Sequence, residues 1–370
     1  MEISNLKDEK IVSIINQKNF KKIIVFAGKQ SFYKSGANKI LKLFKENKNV
    51  RLVFKNKNIP ESKELKKLHI TFSKFKPDLV IAIGGGTVLD YSKILNILDD
   101  IENLENRIIM QKILPKKKNF FLLALPTTAG SGAEVTSNAV IYVNKVKYSI
   151  EGEKLIPDQF ILISEFVIKN PKKIKSSSGF DAISQAIESV LSLKSSEKSV
   201  NFALASLELS LGNYLKYLDK PTEQNSSLML LASNLSGKAI SISKTIAPHA
   251  VSYPFTSYFN VSHGHAVSLT LNDFLKFNYF NQKISQSSFN LNERYKLLFK
   301  KFKVNNINEL DLYLKSIKKK ANLEDNLNNL GINLNKNIEK ILDGLNEQRL
   351  KNNPIKINKK DIKEILLKKV

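Results

Sequence analysis

The chemistry this 370-residue chain could do rests on a few residues: four histidines, a run of three glycines, and an acid and an amide at helix spacing. His249, His263 and His265 fall within PHAVSYPFTSYFNVSHGHA, and His69 stands alone. Asp181 and Gln185 are four apart in GFDAISQAIES, so a helix would put them on one face. A carboxylate with neutral imidazoles is a ligand set for a borderline divalent metal. On spacing alone, a lone Asp and separated histidines serve packing and capping as readily.

In GGGTVLDYSK (84–93), Gly84, Gly85 and Gly86 let backbone approach a phosphate, and a following helix offers N–H donors and partial positive charge. Thr87 would cap that helix or donate to the phosphate, and Asp90 lies in the same stretch. The competing reading is a plain strand-to-helix turn, which needs fewer than three glycines. PTTAGSGAE (126–134) is a second small-residue loop, with Thr127, Thr128 and Ser131 offering hydroxyls between bare backbone at Gly130 and Gly132. Two such loops at the C-terminal ends of parallel strands would face one crevice, where open α/β sheets bind ligands.

The elements that must position these residues change character along the chain. KKIIVFAG, RLVFKN, DLVIAIGGG and NFFLLALP are short apolar runs, and KSGANKILKLFKEN, PESKELKKLHITFSKF and VLDYSKILNIL have helical period. Strands alternating with helices predict a parallel, doubly wound sheet. From about residue 165 helical periodicity dominates, and KNPKKIKSSSG reads as a connector. The expected architecture is an α/β domain over 1–170 and an all-α domain over 171–370.

Composition narrows the classes. No cysteine is present, which excludes a disulfide framework, a thiolate metal site and a cysteine nucleophile. No apolar run approaches the ~18 residues of a membrane span, and the charged N-terminus MEISNLKDEK lacks a secretory h-region, so the expected compartment is the cytoplasm. The net charge of +25 comes mainly from lysines spread along the chain. Without an Arg-rich or aromatic-interleaved stripe it reads as a solvated Lys-rich surface, not a nucleic-acid face.

Taken together, GGGTVLDYSK, TTAGSGAEVT, GFDAISQAIES and HAVSYPFTSYFNVSHG resemble, in order and spacing, the motifs of the iron-containing (group III) alcohol dehydrogenase family over roughly residues 20–275. KNNPIKINKKDIKEIL looks like that family's terminal turn and helix. The resemblance implies an α/β N-terminal Rossmann-like domain followed by an all-α C-terminal domain in a dehydroquinate synthase-like architecture, NADH or NADPH, and a divalent metal (Fe2+ or Zn2+). It places the metal ligands at Asp181, Gln185, His249 and His263, with Gln185 a departure where the family usually carries His. It implies nucleotide contacts at Gly28, Lys29, Gly84–Gly86, Thr87, Asp90, Thr127, Thr128 and Ser131. A homodimer is the implied assembly, with no nucleic-acid or membrane partner.

Tyr253 is a second departure, since many members have His near the nicotinamide; the proton for the alkoxide would come through water or the Tyr253–His265 neighbourhood. Where the family's NAD-preferring members carry an acid after the first strand, this chain has Gly28 followed by Lys29, which implies that NADPH is used at least as well as NADH. Within the family the chain looks most like the phosphonoacetaldehyde reductase branch. Lys238 and Lys244, on the helix leading to His249, would then face a small anionic aldehyde, with Lys147 and Ser149 as further candidates. The competing readings are two surface lysines and a generic or sugar alcohol dehydrogenase, then a dehydroquinate synthase-like lyase, then a non-catalytic basic binding protein.

Overall fold

The computed structural model describes residues 3–4, 8–44, 49–113, 117–345 and 347–369. Two compact units divide the chain: Met1–Pro171 with Thr222–Leu230, and Lys172–Pro221 with Leu231–Val370. Among the described residues no helix is long and apolar enough to cross a membrane.

The first unit is built on a five-stranded sheet from β1 (Lys22–Gly28), β2 (Asn49–Lys55), β3 (Leu79–Gly84), β4 (Phe121–Pro126) and a short edge strand (Gln159–Phe160). The order is β2-β1-β3-β4 and then the edge strand, with every pairing parallel. Side-chain alternation explains why the strands read as unbroken apolar runs. Ile24, Phe26, Val80, Ala82, Leu122 and Ala124 pack on α1 (Ser62–Phe75) and α2 (Gly86–Ile97). Ile23, Val25, Ile81, Ile83, Leu123 and Leu125 pack on the other face with Ile11, Ile15, Phe32 and Ile40. Both faces of the central strands β1, β3 and β4 are covered, so these are apolar along their buried length, whereas the edge strand β2 keeps Arg51 and Lys55. An antiparallel hairpin, Asn138–Val143 with Val146–Glu151, follows β4.

Two expectations are corrected here. KSGANKILKLFKEN does not form one α-helix: Gly36 adopts φ 81° and Ala37–Leu43 is a 3-10 segment, while 45–48 lie outside the described residues. The run KNPKKIKSSSG is not a connector beyond Pro171, because α3 (Lys172–Leu191) already includes KKIKSSSG and buries Lys175, Ser176 and Ser177. Polar composition suggested a linker; tertiary burial of small hydroxyls made it a helix.

The second unit is all-helical: α3, α4 (Glu197–Asp219), the latter part of α5 (Glu223–Ser243), α6 (Ala247–Phe259) and α7 (His263–Phe280), then Leu291–Phe302, Ile307–Lys320, Leu334–Asp343 and Lys359–Leu367. The turn before the last helix is buried. Asn352 donates to the Thr245 carbonyl at 3.1 Å, its own carbonyl accepts from Leu193 N–H at 2.9 Å, and Asn353 pairs reciprocally with Asn278. These bonds pin the chain that leads into α6.

Candidate metal centre and glycine loops

Three elements bring the candidate metal-ligating side chains together. Asp181 comes from the middle of α3, His249 from the first turn of α6 and His263 from the start of α7. Their ligand atoms all lie within 4.8 Å of one another. The close approach of α3 and α7 depends on Gly264, where an added Cβ would stand 2.0 Å from the Ser177 carbonyl oxygen and 2.7 Å from Asp181 Cβ. Pro248 enters α6 at its first turn, where a missing N–H costs nothing.

His249 is fixed from behind. Its Nδ1 is hydrogen-bonded to Glu188 Oε1, while Glu188 Oε2 accepts from the Ile246 N–H at 2.9 Å and the His249 N–H at 3.4 Å. Its Nε2 faces Asp181 Oδ1 at 3.3 Å. Glu188 is fully buried, one turn beyond Gln185 on the same face of α3. Burial disfavours charge on His249, but Glu188 and Asp181 outweigh it and lift its pKa to about 9. This is the carboxylate–imidazole arrangement that orients a metal-ligating histidine. One carboxylate oxygen and two imidazoles converging, Asp181 and His249 buried and His263 partly exposed, with one ring anchored at its far nitrogen, fit a borderline divalent cation.

Gln185 is not placed as a ligand. Its amide N–H donates to Asp181 Oδ2 at 3.1 Å and its carbonyl accepts from Ser236 Oγ at 3.2 Å, so it orients Asp181. His265 does not join Tyr253 or the cluster. Two residues beyond His263 on one helix, it points elsewhere, and its Nε2 bonds to the Glu324 carbonyl at 2.7 Å. Tyr253 does belong to the neighbourhood, its ring centroid 5.9 Å from that of His263. Burial pushes its pKa up to about 12, against the pull of an Arg349 guanidinium hydrogen-bonded to the phenol.

Arg349 is itself buried, and with Glu188 it is a residue that sequence reasoning missed. The i, i+4, i+7 spacing of Asp181, Gln185 and Glu188 was a signal for the second; nothing local marked the first. Lys238 lies over the Phe202 ring at 5.9 Å and Lys244 folds back onto the Ser241 carbonyl at 3.2 Å. The helix carrying Lys238 stops at Ser243 and Lys244 lies beyond it at φ 61°, so the two lysines do not share one helix leading to His249.

In the first unit the two small-residue loops adjoin at the ends of β3 and β4. Thr127 N–H donates to the Gly84 carbonyl at 3.0 Å. A Cβ on Gly85 would meet Thr128 Oγ1 at 3.1 Å, and one on Gly86 would meet Ser131 Oγ at 3.2 Å. This bare-backbone cradle opening α2 suits a dinucleotide's pyrophosphate. Gly28 ends β1, beside β3, and Lys29 is exposed at the start of Lys29–Lys34.

Thr87 and Asp90 have partners within the protein. The helix cap is Gly85 with no side-chain bond, and Thr87 Oγ1 donates to the Asn58 carbonyl at 2.8 Å. Asp90 faces the hairpin: burial raises its pKa to about 6, opposed by Lys93, the Val140 N–H and Lys147. Lys93, fully buried, donates to the Ala133 carbonyl, Thr136 Oγ1 and the Asn138 carbonyl at 3.0, 2.7 and 2.5 Å, and so ties α2 to the loop after β4.

The profile described as iron-containing alcohol dehydrogenase matches residues 7–164, and that of the Fe-containing alcohol dehydrogenase family, C-terminal, matches 175–370. The chain belongs to the iron-containing alcohol dehydrogenase family. Among its relatives is 4-hydroxybutyrate dehydrogenase of Clostridium kluyveri, 30% identical over 53% of this chain and 54% of that one. Another is phosphonoacetaldehyde reductase of Streptomyces viridochromogenes, 29% identical over 55% and 54%. Long-chain-alcohol dehydrogenase 1 of Geobacillus thermodenitrificans is 28% identical over 53% and 50%. The matches span about half the length of these curated relatives. Two crystal structures share the fold: sulfoacetaldehyde reductase from Bifidobacterium kashiwanohense in complex with NAD+ (TM-score 0.84, 24% identity, 99% and 96% covered) and the iron-containing alcohol dehydrogenase from Thermococcus thioreducens (TM-score 0.88, 20%, 99% and 96%). Both matched profiles are those of alcohol dehydrogenases.

Proposed function

We propose that this protein is a metal-dependent, NAD(P)H-linked reductase of small aldehydes, working between C=O and CH–OH. The observation that carries the reading is the convergence of Asp181, His249 and His263 with Glu188 behind His249. Those three residues would hold the divalent ion, which when bound supplies a Lewis acid toward a carbonyl oxygen, while the nicotinamide supplies hydride. Glu188 keeps His249 Nδ1 occupied and so directs Nε2 to the ion. Gln185 holds one Asp181 oxygen and leaves the other to ligate. Tyr253 keeps its proton through neutral pH and donates a hydrogen bond without adding charge. The glycine cradle takes the pyrophosphate, held in shape by Lys93.

The finer reading is an anionic aldehyde, with phosphonoacetaldehyde the first candidate. Its support is Arg349, a buried guanidinium on Tyr253 beside His263, together with relatives named for 4-hydroxybutyrate and phosphonoacetaldehyde. Arg349 takes the place that sequence reasoning gave to Lys238 and Lys244. The test is to strip the metal, reload with Fe2+ or Zn2+, and follow NADH and NADPH oxidation with phosphonoacetaldehyde, 4-oxobutanoate and propanal. Only the loaded protein should turn over, and best with the anions. Arg349→Ala should lose about ten- to a hundredfold in kcat/KM on the anions while sparing propanal. Turnover without metal overturns the reductase mechanism. A preference for propanal overturns only the anionic reading and leaves a neutral alcohol dehydrogenase.

A further inference from the structure

The end of β1 lies between two strands that matter to a nucleotide. On one side β1 pairs with β3, the strand that runs into the glycine loop, in the register Ala27 to Ile83. On the other it pairs with β2, with Gly28 opposite Lys55. In open parallel sheets the adenosine ribose is read at a strand end close to the phosphate loop, where an acid selects the 2′-OH and a cation accommodates a 2′-phosphate. Gly28 supplies neither. A Cβ built on it would stand 3.0 Å from Ser31 Oγ and 3.4 Å from Lys55 Cε. The Lys55 chain therefore crosses the position where a residue-28 side chain would project.

The loop after β2 holds Lys55 in that place. Lys55 Nζ donates to the Lys57 carbonyl at 2.6 Å, using one of its three N–H donors. Glu64, the nearby acid, is occupied: it accepts from the Asn56 N–H, from the Lys57 N–H at 3.0 Å and from the Tyr91 hydroxyl at 2.9 Å. Tyr91 also accepts from the Glu61 N–H at 2.6 Å, and Thr87 holds the Asn58 carbonyl. Glu61 itself pairs with Lys57 at 3.6 Å. Burial lowers the Lys55 pKa and Glu64 partly restores it, as for an ammonium short of water. Lys29, by contrast, is exposed. A charge-assisted bond to a phosphate is stronger from a partly desolvated, preplaced ammonium than from a solvated one.

We infer that Lys55, not Lys29, receives the 2′-phosphate of NADPH and decides the choice of dinucleotide. This rests on the nicotinamide reading above. The test is calorimetry on the whole protein with adenosine 2′,5′-bisphosphate and adenosine 5′-monophosphate, which differ only in the 2′-phosphate and require neither metal nor turnover. The bisphosphate should bind at least about tenfold more tightly. Lys55→Ala and Lys55→Gln should erase that ratio while leaving monophosphate affinity unchanged, which also reports intact folding. Lys55→Gln keeps a donor for the Lys57 carbonyl and carries the test alone if the alanine variant does not fold. Lys29→Ala should keep the ratio. A ratio that survives at residue 55, one lost at residue 29, or no preference in the unmodified protein overturns the inference while leaving the nicotinamide reading intact. Binding of neither nucleotide overturns both.

Discussion

At the ends of β3 and β4 the molecule offers backbone: Gly85 and Gly86 lie where any Cβ would press on Thr128 or Ser131. In the helical unit it offers buried charge: Asp181, Glu188 and Arg349 are each no more than 6% exposed, with His249 at 3% between the two carboxylates. The two regions fail differently. A cradle of bare backbone tolerates loss of a neighbouring side chain and is spoiled by adding one. A cluster of buried charges tolerates little removal, because each group balances another in a medium where an uncompensated charge is costly. Gly264 joins the two kinds of logic, being empty space on which the charged cluster depends.

That contrast can be broken by substitution. The largest effect is expected from Gly264→Ala, whose Cβ would stand 2.0 Å from backbone oxygen on α3. Separating α3 from α7 should cost about 3 kcal/mol or more and abolish metal binding, read as a fall in Tm together with metal content. Next comes His263→Ala, which should leave a folded protein with near-zero bound metal; full metal content in that variant sinks the ligand assignment. Glu188→Gln should weaken metal by about ten- to a hundredfold in a chelator competition while nucleotide affinity stays unchanged. Gly85→Ala should do the reverse, weakening nucleotide by about tenfold with metal content intact. If either of the last two substitutions damaged both functions equally, the two regions would not be separable in the way described.

The smallest effect concerns Asp90, an ionisable group that the backbone-built region does contain. Its pKa rises from 3.8 to about 6 in the folded chain, so the folded state holds the proton more tightly. That stabilisation is fully present below pH 3.8 and is lost as pH rises through about 6. Asp90→Asn should therefore match the unmodified protein near pH 4 and exceed it by about 1–2 kcal/mol at pH 8, with solvent screening allowed for. Denaturant midpoints across that range measure it. Equal stabilities at both ends would mean that Lys93 and the Val140 N–H offset the burial.

The glycine loops were legible in the sequence because everything that makes them is contiguous. A buried strand, three glycines and a helix start need only chain neighbours to define their geometry, and the structure sets the two loops side by side as their strand positions required. The pairing of Asp181 with Gln185 on one face was legible for the same reason, although the role of Gln185 was not. Ligand or orienting group depended on Ser236, which arrives from α5 to occupy the amide carbonyl.

The sequence by itself determined the alternation of strands and helices, the passage to an all-helical unit, the backbone cradle and the stock of imidazoles. The tertiary structure decided which imidazole stands with Asp181. His263 and His265 are equivalent in composition and two residues apart, yet one faces Asp181 and the other the Glu324 carbonyl. It also set Arg349 on Tyr253 and the Lys55 chain against Gly28, where the sequence had drawn attention to Lys238, Lys244 and Lys29 instead. The physical reason is range. Backbone geometry follows from steric and hydrogen-bonding limits among adjacent residues, whereas the work of a buried charge is set by which distant helix and strand faces are packed around it.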